Sequence, residues 1–145
     1  MWTDPRTRQP STERFYDGLT FHRVVPNFVV QGGGYTETFE EKPLRDPIIN
    51  ESGNGLKNAP MTIAMARFDD PHSATSQFFF NLKDNEALNP SPSRWGYTVF
   101  GEVVSGRDVV EKIAAVETGF SDALNASDVP LTPVRLVRAS VVDGP

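Results

Sequence analysis

The residues with the most chemical promise lie in one short stretch, Phe21-His22-Arg23-Val24-Val25-Pro26-Asn27-Phe28-Val29-Val30-Gln31-Gly32-Gly33. An arginine stands among large apolar side chains, and a glutamine and glycines close the stretch. A cation beside apolar groups is costly to desolvate unless it has partners, so Arg23 needs an explanation. Two are open: a surface arginine laying its stem over apolar neighbours, or a donor held at a binding surface. In an extended chain the side chains alternate faces, so Phe21, Arg23 and Val25 share one face and His22 and Val24 the other. Pro26-Asn27 interrupts the run as a turn would, and Val29 and Gln31 share a face on the strand that resumes. A second segment, Ser76-Gln77-Phe78-Phe79-Phe80-Asn81, sets a glutamine beside three consecutive phenylalanines. Such a triplet describes a core strand covered on both faces, or a strand with one face lining a pocket.

Other polar residues point to little chemistry. His22 and His72 are the only histidines and there is no cysteine, so neither a dedicated metal site nor a cofactor is expected. Gly32-Gly33-Gly34 is not followed by the Gly-Lys-Ser/Thr of a phosphate loop and reads as a tight bend or bulge. Asp69 and Asp70 read as loop caps.

Short apolar runs separated by turn residues must position these groups: Thr20 to Val25, Phe28 to Gln31, Thr62 to Arg67, Phe78 to Leu82, Thr98 to Val104 and Val134 to Val142. Many short strands joined by loops predict a mainly β barrel or sandwich rather than a parallel sheet. One helix is predicted near 106–116. Ser105-Gly106-Arg107-Asp108 resembles a capping box, Val109, Ile113 and Val116 give the apolar face, and Gly119 is available beyond the end. Pro43 to Pro60 and Asn81 to Trp95 are long connections of the kind that carry binding residues. The polar, proline-bearing residues 1–14 read as an irregular or disordered lead, and 15–143 as one domain.

A chain of 145 residues can bury roughly 70% of its unfolded surface in a single core. The absence of cysteine excludes disulfides and thiolate chemistry. Fourteen basic against nineteen acidic residues leave a net charge of -5, so no overall field draws nucleic acid or an anionic membrane. No apolar run approaches a bilayer span, and Met1 to Pro10 has no hydrophobic leader segment, so the chain reads as soluble and cytoplasmic.

Seven segments carry a resemblance: Phe15-Tyr16-Asp17-Gly18-Leu19-Thr20-Phe21-His22-Arg23, Gln31-Gly32-Gly33-Gly34, Asn50-Glu51, Gly55-Leu56-Lys57-Asn58, Ala64-Met65-Ala66-Arg67, Ser73-Ala74-Thr75-Ser76-Gln77-Phe78-Phe79 and Trp95-Gly96-Tyr97-Thr98-Val99-Phe100-Gly101-Glu102-Val103. In that order they resemble the motifs of bacterial cyclophilins, which are peptidyl-prolyl cis/trans isomerases. The resemblance implies an eight-stranded antiparallel β-barrel capped by two helices, with a peptide groove on its outer surface. It implies that Arg23 is the catalytic arginine. Phe28, Val29, Phe79 and Leu88 would form the pocket for the proline ring, with Tyr97 where animal cyclophilins often carry histidine. Gln31, Ala66, Arg67 and Gln77 would hold the flanking peptide backbone. The implied partners are proline-containing peptides and unfolded proteins. Val29 replaces the usual methionine or leucine, and Ala87 replaces a large aromatic, which removes part of one groove wall and argues against tight cyclosporin binding.

The family also begins with two strands and a helix ahead of the Phe15-Tyr16-Asp17-Gly18 equivalent, and fourteen unrelated residues do not replace them. An N-terminally incomplete barrel is therefore expected, with unpaired edges open to strand addition by another chain. The alternatives to an isomerase are a proline-peptide binding or chaperone-like module with little catalysis, and an inactive truncated product.

Overall fold

The computed structural model describes the main chain at residues 2–3 and 10–11 and all of residues 14–142. In chain order the elements are β1 (Trp2–Thr3), β2 (Pro10–Ser11), β3 (Arg23–Val25), β4 (Val29–Gly32), β5 (Thr62–Met65), β6 (Phe78–Asn81), a 3-10 turn (Glu86–Leu88), β7 (Val99–Glu102), α1 (Arg107–Ala114), β8 (Thr118–Ser121) and β9 (Ala126–Pro130). Among the described residues the architecture is mainly β, with antiparallel pairing throughout and one α-helix, as the resemblance implies. Within the predicted lead, Trp2 pairs with Ser11 and Thr3 with Pro10; its other residues up to 13 lie outside the described residues.

A five-stranded sheet in the order β3-β4-β6-β5-β7 carries the fold. Its register places whole rows of side chains on one face, because directly opposed residues in neighbouring strands point the same way. One row runs Val24, Val30, Phe80, Ile63, Gly101 and the next runs Arg23, Gln31, Phe79, Ala64, Val99. The first row faces the core, where Val24 and Val30 are fully buried with Phe21 and Phe78, and Ile63, Met65 and Phe80 pack alongside. The second row faces the opposite way. The three phenylalanines thus serve two purposes, Phe78 and Phe80 in the core and Phe79 on the other face.

The turn between β3 and β4 forms as Pro26-Asn27 predicts. Phe28 N donates to Val25 O at 3.0 Å, and Asn27 takes a positive φ of 58°, the conformation demanded after Pro in a type II turn. The alternation does not extend back through Phe21, however. The strand begins only at Arg23, and Phe21 N donates to Val134 O (2.9 Å), which puts the Phe21 ring in the core with Val24 rather than beside Arg23.

Two further expectations are corrected. The helix spans Arg107–Ala114 without a capping box: Gly106 is its N-cap at φ +85° and no side chain caps it. Ala115 is its C-cap, and Gly119, beyond the end, lies in β8 and takes no part in the cap. Val110 is buried, and Ile113, Ala114 and, just past the helix, Val116 pack on the core, so Ile113 and Val116 of the expected face are in place while Val109 is 53% exposed. The spacing i, i+3, i+4 wins because the helix lies along β3 and β4 and drops Ile113 and Ala114 into the core. The last predicted strand pairs only near its start. Val134 and Leu136 bond to Phe21, Leu19 and Gly18, and residues 137–142 are exposed. The β8–β9 hairpin falls outside the apolar runs, because polar and small residues fill most of it.

His22 is half-buried with its ring edge-on to Tyr35, centroids 4.8 Å apart, and its Nδ1 is buried without a partner among the described residues. Burial first, and the neighbouring Arg23 charge second, lower its pKa from 6.5 to about 4. The folded protein therefore holds His22 neutral, while the unfolded chain takes up a proton below pH 6.5. The contribution is full above that pH and is lost as pH falls to 4, with a slope of at most about 1.4 kcal/mol per unit. Denaturation midpoints of wild type and His22→Phe, measured from pH 7 to 4, are expected to diverge, the wild type losing more stability; parallel profiles contradict this.

Candidate active site

The row that turns away from the core assembles the predicted site. Arg23 and Gln31 are paired partners across β3 and β4, and Gln31 faces Phe79 on β6. Arg23 Nη1 donates to Gln31 Oε1 at 3.4 Å, and Gln31 Nε2 donates to Gln77 Oε1 at 2.8 Å. This polar chain fixes the direction of each amide: Gln31 spends its oxygen on the arginine, so its nitrogen must donate onward. The Arg23 guanidinium also lies 5.8 Å from the Phe28 ring centroid. Among the described residues its one hydrogen bond is the long one to Gln31, which leaves most of its five N–H groups for a ligand.

The glycines permit this arrangement. A Cβ on Gly34 would come within 2.6–2.9 Å of three Gln77 side-chain atoms, so the Gln77 amide lies directly over Gly34. Gly33 takes φ +86° and sits against Ser76 O and the Phe78 ring, a close approach that only glycine allows. Ser76 Oγ donates to Gly33 O (2.8 Å) and Ala66 N to Gln77 O (3.0 Å), which fastens the segment entering β6 on both sides.

Beside the polar chain lies an apolar cluster. Val29, Ala64, Phe79 and Val99 are its buried floor, and Phe28, Ala66, Leu88 and Tyr97 are its half-buried walls. Phe79 and Tyr97 meet edge to face, centroids 5.8 Å apart. Tyr97 N donates to Leu88 O at 2.9 Å, which ties two walls together. Arg67 stands at the rim with its guanidinium carbon 4.6 Å from the Tyr97 ring centroid. All ten predicted residues, Arg23, Phe28, Val29, Gln31, Ala66, Arg67, Gln77, Phe79, Leu88 and Tyr97, thus meet at one surface. Ala87 is exposed on the 3-10 turn, where its methyl adds little wall. A cleft of about 240 Å³ adjoins this surface at Arg67 and is lined further by Ile48, Met65, Thr98 and Phe100. Met65 follows Ala64 on β5 and so points to the other face of that strand, whereas Arg67 borders both the cleft and the apolar cluster.

Sequence reading missed the support beneath the walls. Asn58 and Asn81 are wholly buried, and Asn85 is nearly so. Asn81 Nδ2 donates to Asn58 Oδ1 and to Thr62 Oγ1, both at 2.9 Å, and Asn81 Oδ1 accepts from Asn85 Nδ2 at 2.8 Å. The outer ends of this chain of amides grip the pocket's main chain. Asn85 Nδ2 reaches Phe28 O (3.0 Å), and Asn58 Nδ2 reaches Leu88 O (3.2 Å) and Tyr97 O (3.3 Å). Three wall residues are thereby held through their carbonyls. The available signal was Asn81 closing an apolar triplet, with Asn58 and Asn85 in flanking loops.

Comparison with known proteins agrees with this geometry. Residues 7–141 match the family described as cyclophilin type peptidyl-prolyl cis-trans isomerase. The chain is 50% identical over 130 residues to peptidyl-prolyl cis-trans isomerase cyp18 of Streptomyces antibioticus, covering 88% of this chain and 77% of that protein. It is 48% identical over 132 residues to peptidyl-prolyl cis-trans isomerase B of Escherichia coli, covering 89% and 79%. With an Acinetobacter baylyi peptidyl-prolyl cis-trans isomerase it shares 50% over 127 residues, covering 88% and 66%. The chain belongs to the cyclophilin-type peptidyl-prolyl cis-trans isomerase family.

Replacing Asn81 by leucine strands the Asn58 oxygen and an Asn85 proton in a dry interior. An unsatisfied buried polar group costs about 1–3 kcal/mol, so the variant is expected to lose roughly 2–4 kcal/mol in urea unfolding. A loss below about 0.5 kcal/mol, the range of ordinary surface changes, contradicts the role of the network.

Proposed function

We propose that this protein accelerates cis/trans rotation about X-Pro bonds in peptides and unfolded proteins. The observation that carries the reading is Arg23, a cation with unspent donors held by Gln31 at the edge of the Val29–Phe79 apolar floor. A proline ring seated on that floor would lie beside the guanidinium. Phe28, Leu88 and Tyr97 enclose the ring, Ala66 lines its side, and Gln31 and Gln77 offer amides to the flanking peptide backbone.

The reaction breaks and forms no σ bond, so it calls for stabilisation of a twisted amide. Amide resonance sets a barrier of roughly 20 kcal/mol, and unaided rotation takes tens to hundreds of seconds. At the transition state resonance is lost, the nitrogen becomes pyramidal, and its lone pair can accept a hydrogen bond. A donor aimed there favours the transition state over the planar ground state, which raises turnover rather than mere binding. Arginine suits the task because it stays charged and surrenders no proton. Turnover of about 10³ per second requires about 7 kcal/mol, of which one charge-assisted bond supplies about 1.5–3 kcal/mol. The rest is assigned to the apolar floor, which strips water from an amide that is less dipolar when twisted, and to fixing the ring while the preceding residue swings.

The same reading extends to the sheet edge. β7 is the end of the five-stranded sheet and Phe100 on it is 53% exposed, which supports a barrel-like closure completed there by a further strand.

In a prolyl isomerisation assay the wild type is expected to accelerate exchange. Arg23→Ala should reduce kcat/KM by at least about 100-fold, an arginine contribution of some 3 kcal/mol, with an unchanged unfolding midpoint. Near wild-type activity in Arg23→Ala removes Arg23 from this role.

A further inference from the structure

We infer that Arg67 is a positioning residue for this reaction, acting through Tyr97: its guanidinium locks two rim loops together and holds the Tyr97 ring against Phe79. The inference rests on the isomerase reading and assigns Arg67 a task other than gripping the peptide.

Four of the five guanidinium N–H groups are spent on this chain's own main chain. Nε donates to Gly96 O (3.3 Å), Nη1 to Phe68 O (2.7 Å) and Asp69 O (3.4 Å), and Nη2 to Trp95 O (3.0 Å). Those carbonyls belong to two segments, 68–69 and 95–96, that no strand ladder joins. The fork therefore acts as a clasp between them. The guanidinium carbon lies over the Tyr97 ring, 4.6 Å from its centroid, and that ring in turn meets Phe79 edge to face. Tyr97 is thus caught between a cation fixed by four carbonyls and a buried phenylalanine. Gly96 reinforces the clasp: its carbonyl also accepts from Asn50 Nδ2 (2.9 Å), and a Cβ at this position would strike the Pro90 backbone nitrogen.

The geometry separates Arg67 from Arg23. Arg23 is oriented through Gln31 and Gln77, and the Arg67 guanidinium bonds to other segments, so loss of the clasp leaves the donor to the twisted amide in place. What it frees is one wall of the pocket. A wall loosened equally for ground and transition states weakens binding without altering the chemical step, so KM should rise while kcat holds. Lysine offers no planar fork to span both loops or to stack on the ring.

The test combines kinetics with structure. Arg67→Met, which keeps an apolar stem, and Arg67→Ala are each made in wild type and in Tyr97→Leu. In wild type both are expected to raise KM about ten-fold with kcat within about two-fold, a pattern of lost uniform binding. In the Tyr97→Leu background they are expected to change KM by less than about two-fold, since coupled effects do not add. An equal rise in both backgrounds overturns the inference, because it makes Arg67 a direct substrate ligand. No rise in either overturns it too. A second readout is free of turnover: the nuclear Overhauser effect between the Tyr97 and Phe79 rings should appear in wild type and vanish in Arg67→Met. An effect that persists in Arg67→Met overturns the inference. If it vanishes there while the wild type shows no isomerase activity, the clasp stands and the isomerase reading falls instead.

Discussion

A short chain of buried amides is the constraint on which the candidate site depends. Asn81 sits at the end of the most apolar strand with no access to water, and its amide is satisfied by Asn58, Asn85 and Thr62. A primary amide in such a place costs several kcal/mol unless its donors and acceptor are all met, so the two loops and the strand β5 that supply its partners are not free to drift. The Asn58 and Asn85 amides on those loops in turn hold Phe28, Leu88 and Tyr97 in one cluster through their carbonyls. The desolvation cost of polar groups beneath the site thus becomes rigidity of the apolar groups above it.

The sheet contributes the second half of this coupling. Alternation along β3, β4 and β6 sends one side chain to the core and the next to the site, so Val24 and Val30 anchor the strands that present Arg23 and Gln31. A register slip of one residue would exchange the two sets, and burial of Val24, Val30 and Phe80 opposes it. Arg23 needs no partner of opposite charge in this setting. It remains at the rim, half-exposed, with one amide oxygen to aim it and the Phe28 ring beside it. An arginine fully paired with a carboxylate would have its donors occupied and could not serve a transient lone pair.

Much of this was legible in the residues, and the limits of legibility have physical causes. The β3–β4 hairpin was readable because proline and asparagine punctuate it, and the functional row was readable because alternation has a period of two. That period failed at Phe21, where a bond to Val134 far along the chain decides the ring's direction; no local pattern reports such a partner. The helix stands at its predicted place, with Ile113 and Val116 on the core as expected and Val110 in place of Val109, since those two are equally apolar and only the position of β3 and β4 chooses between them. The candidate site residues stand in ordered motifs, whereas the asparagine support does not show in the sequence, because a buried asparagine and a loop asparagine look the same until the partners are placed. The clasp made by Arg67 was hidden for the same reason: its acceptors are main-chain carbonyls, which every residue has.

The central claim is that one arginine beside an apolar floor lowers the barrier to amide rotation. Exchange spectroscopy by nuclear magnetic resonance measures this most directly, with a short X-Pro peptide and a small fraction of protein. Cross-peaks linking the cis and trans peptide resonances are predicted on the sub-second scale, absent from the peptide alone. Peptide resonances that shift on binding without such cross-peaks would mean that the groove holds proline without turning it, and would contradict the claim.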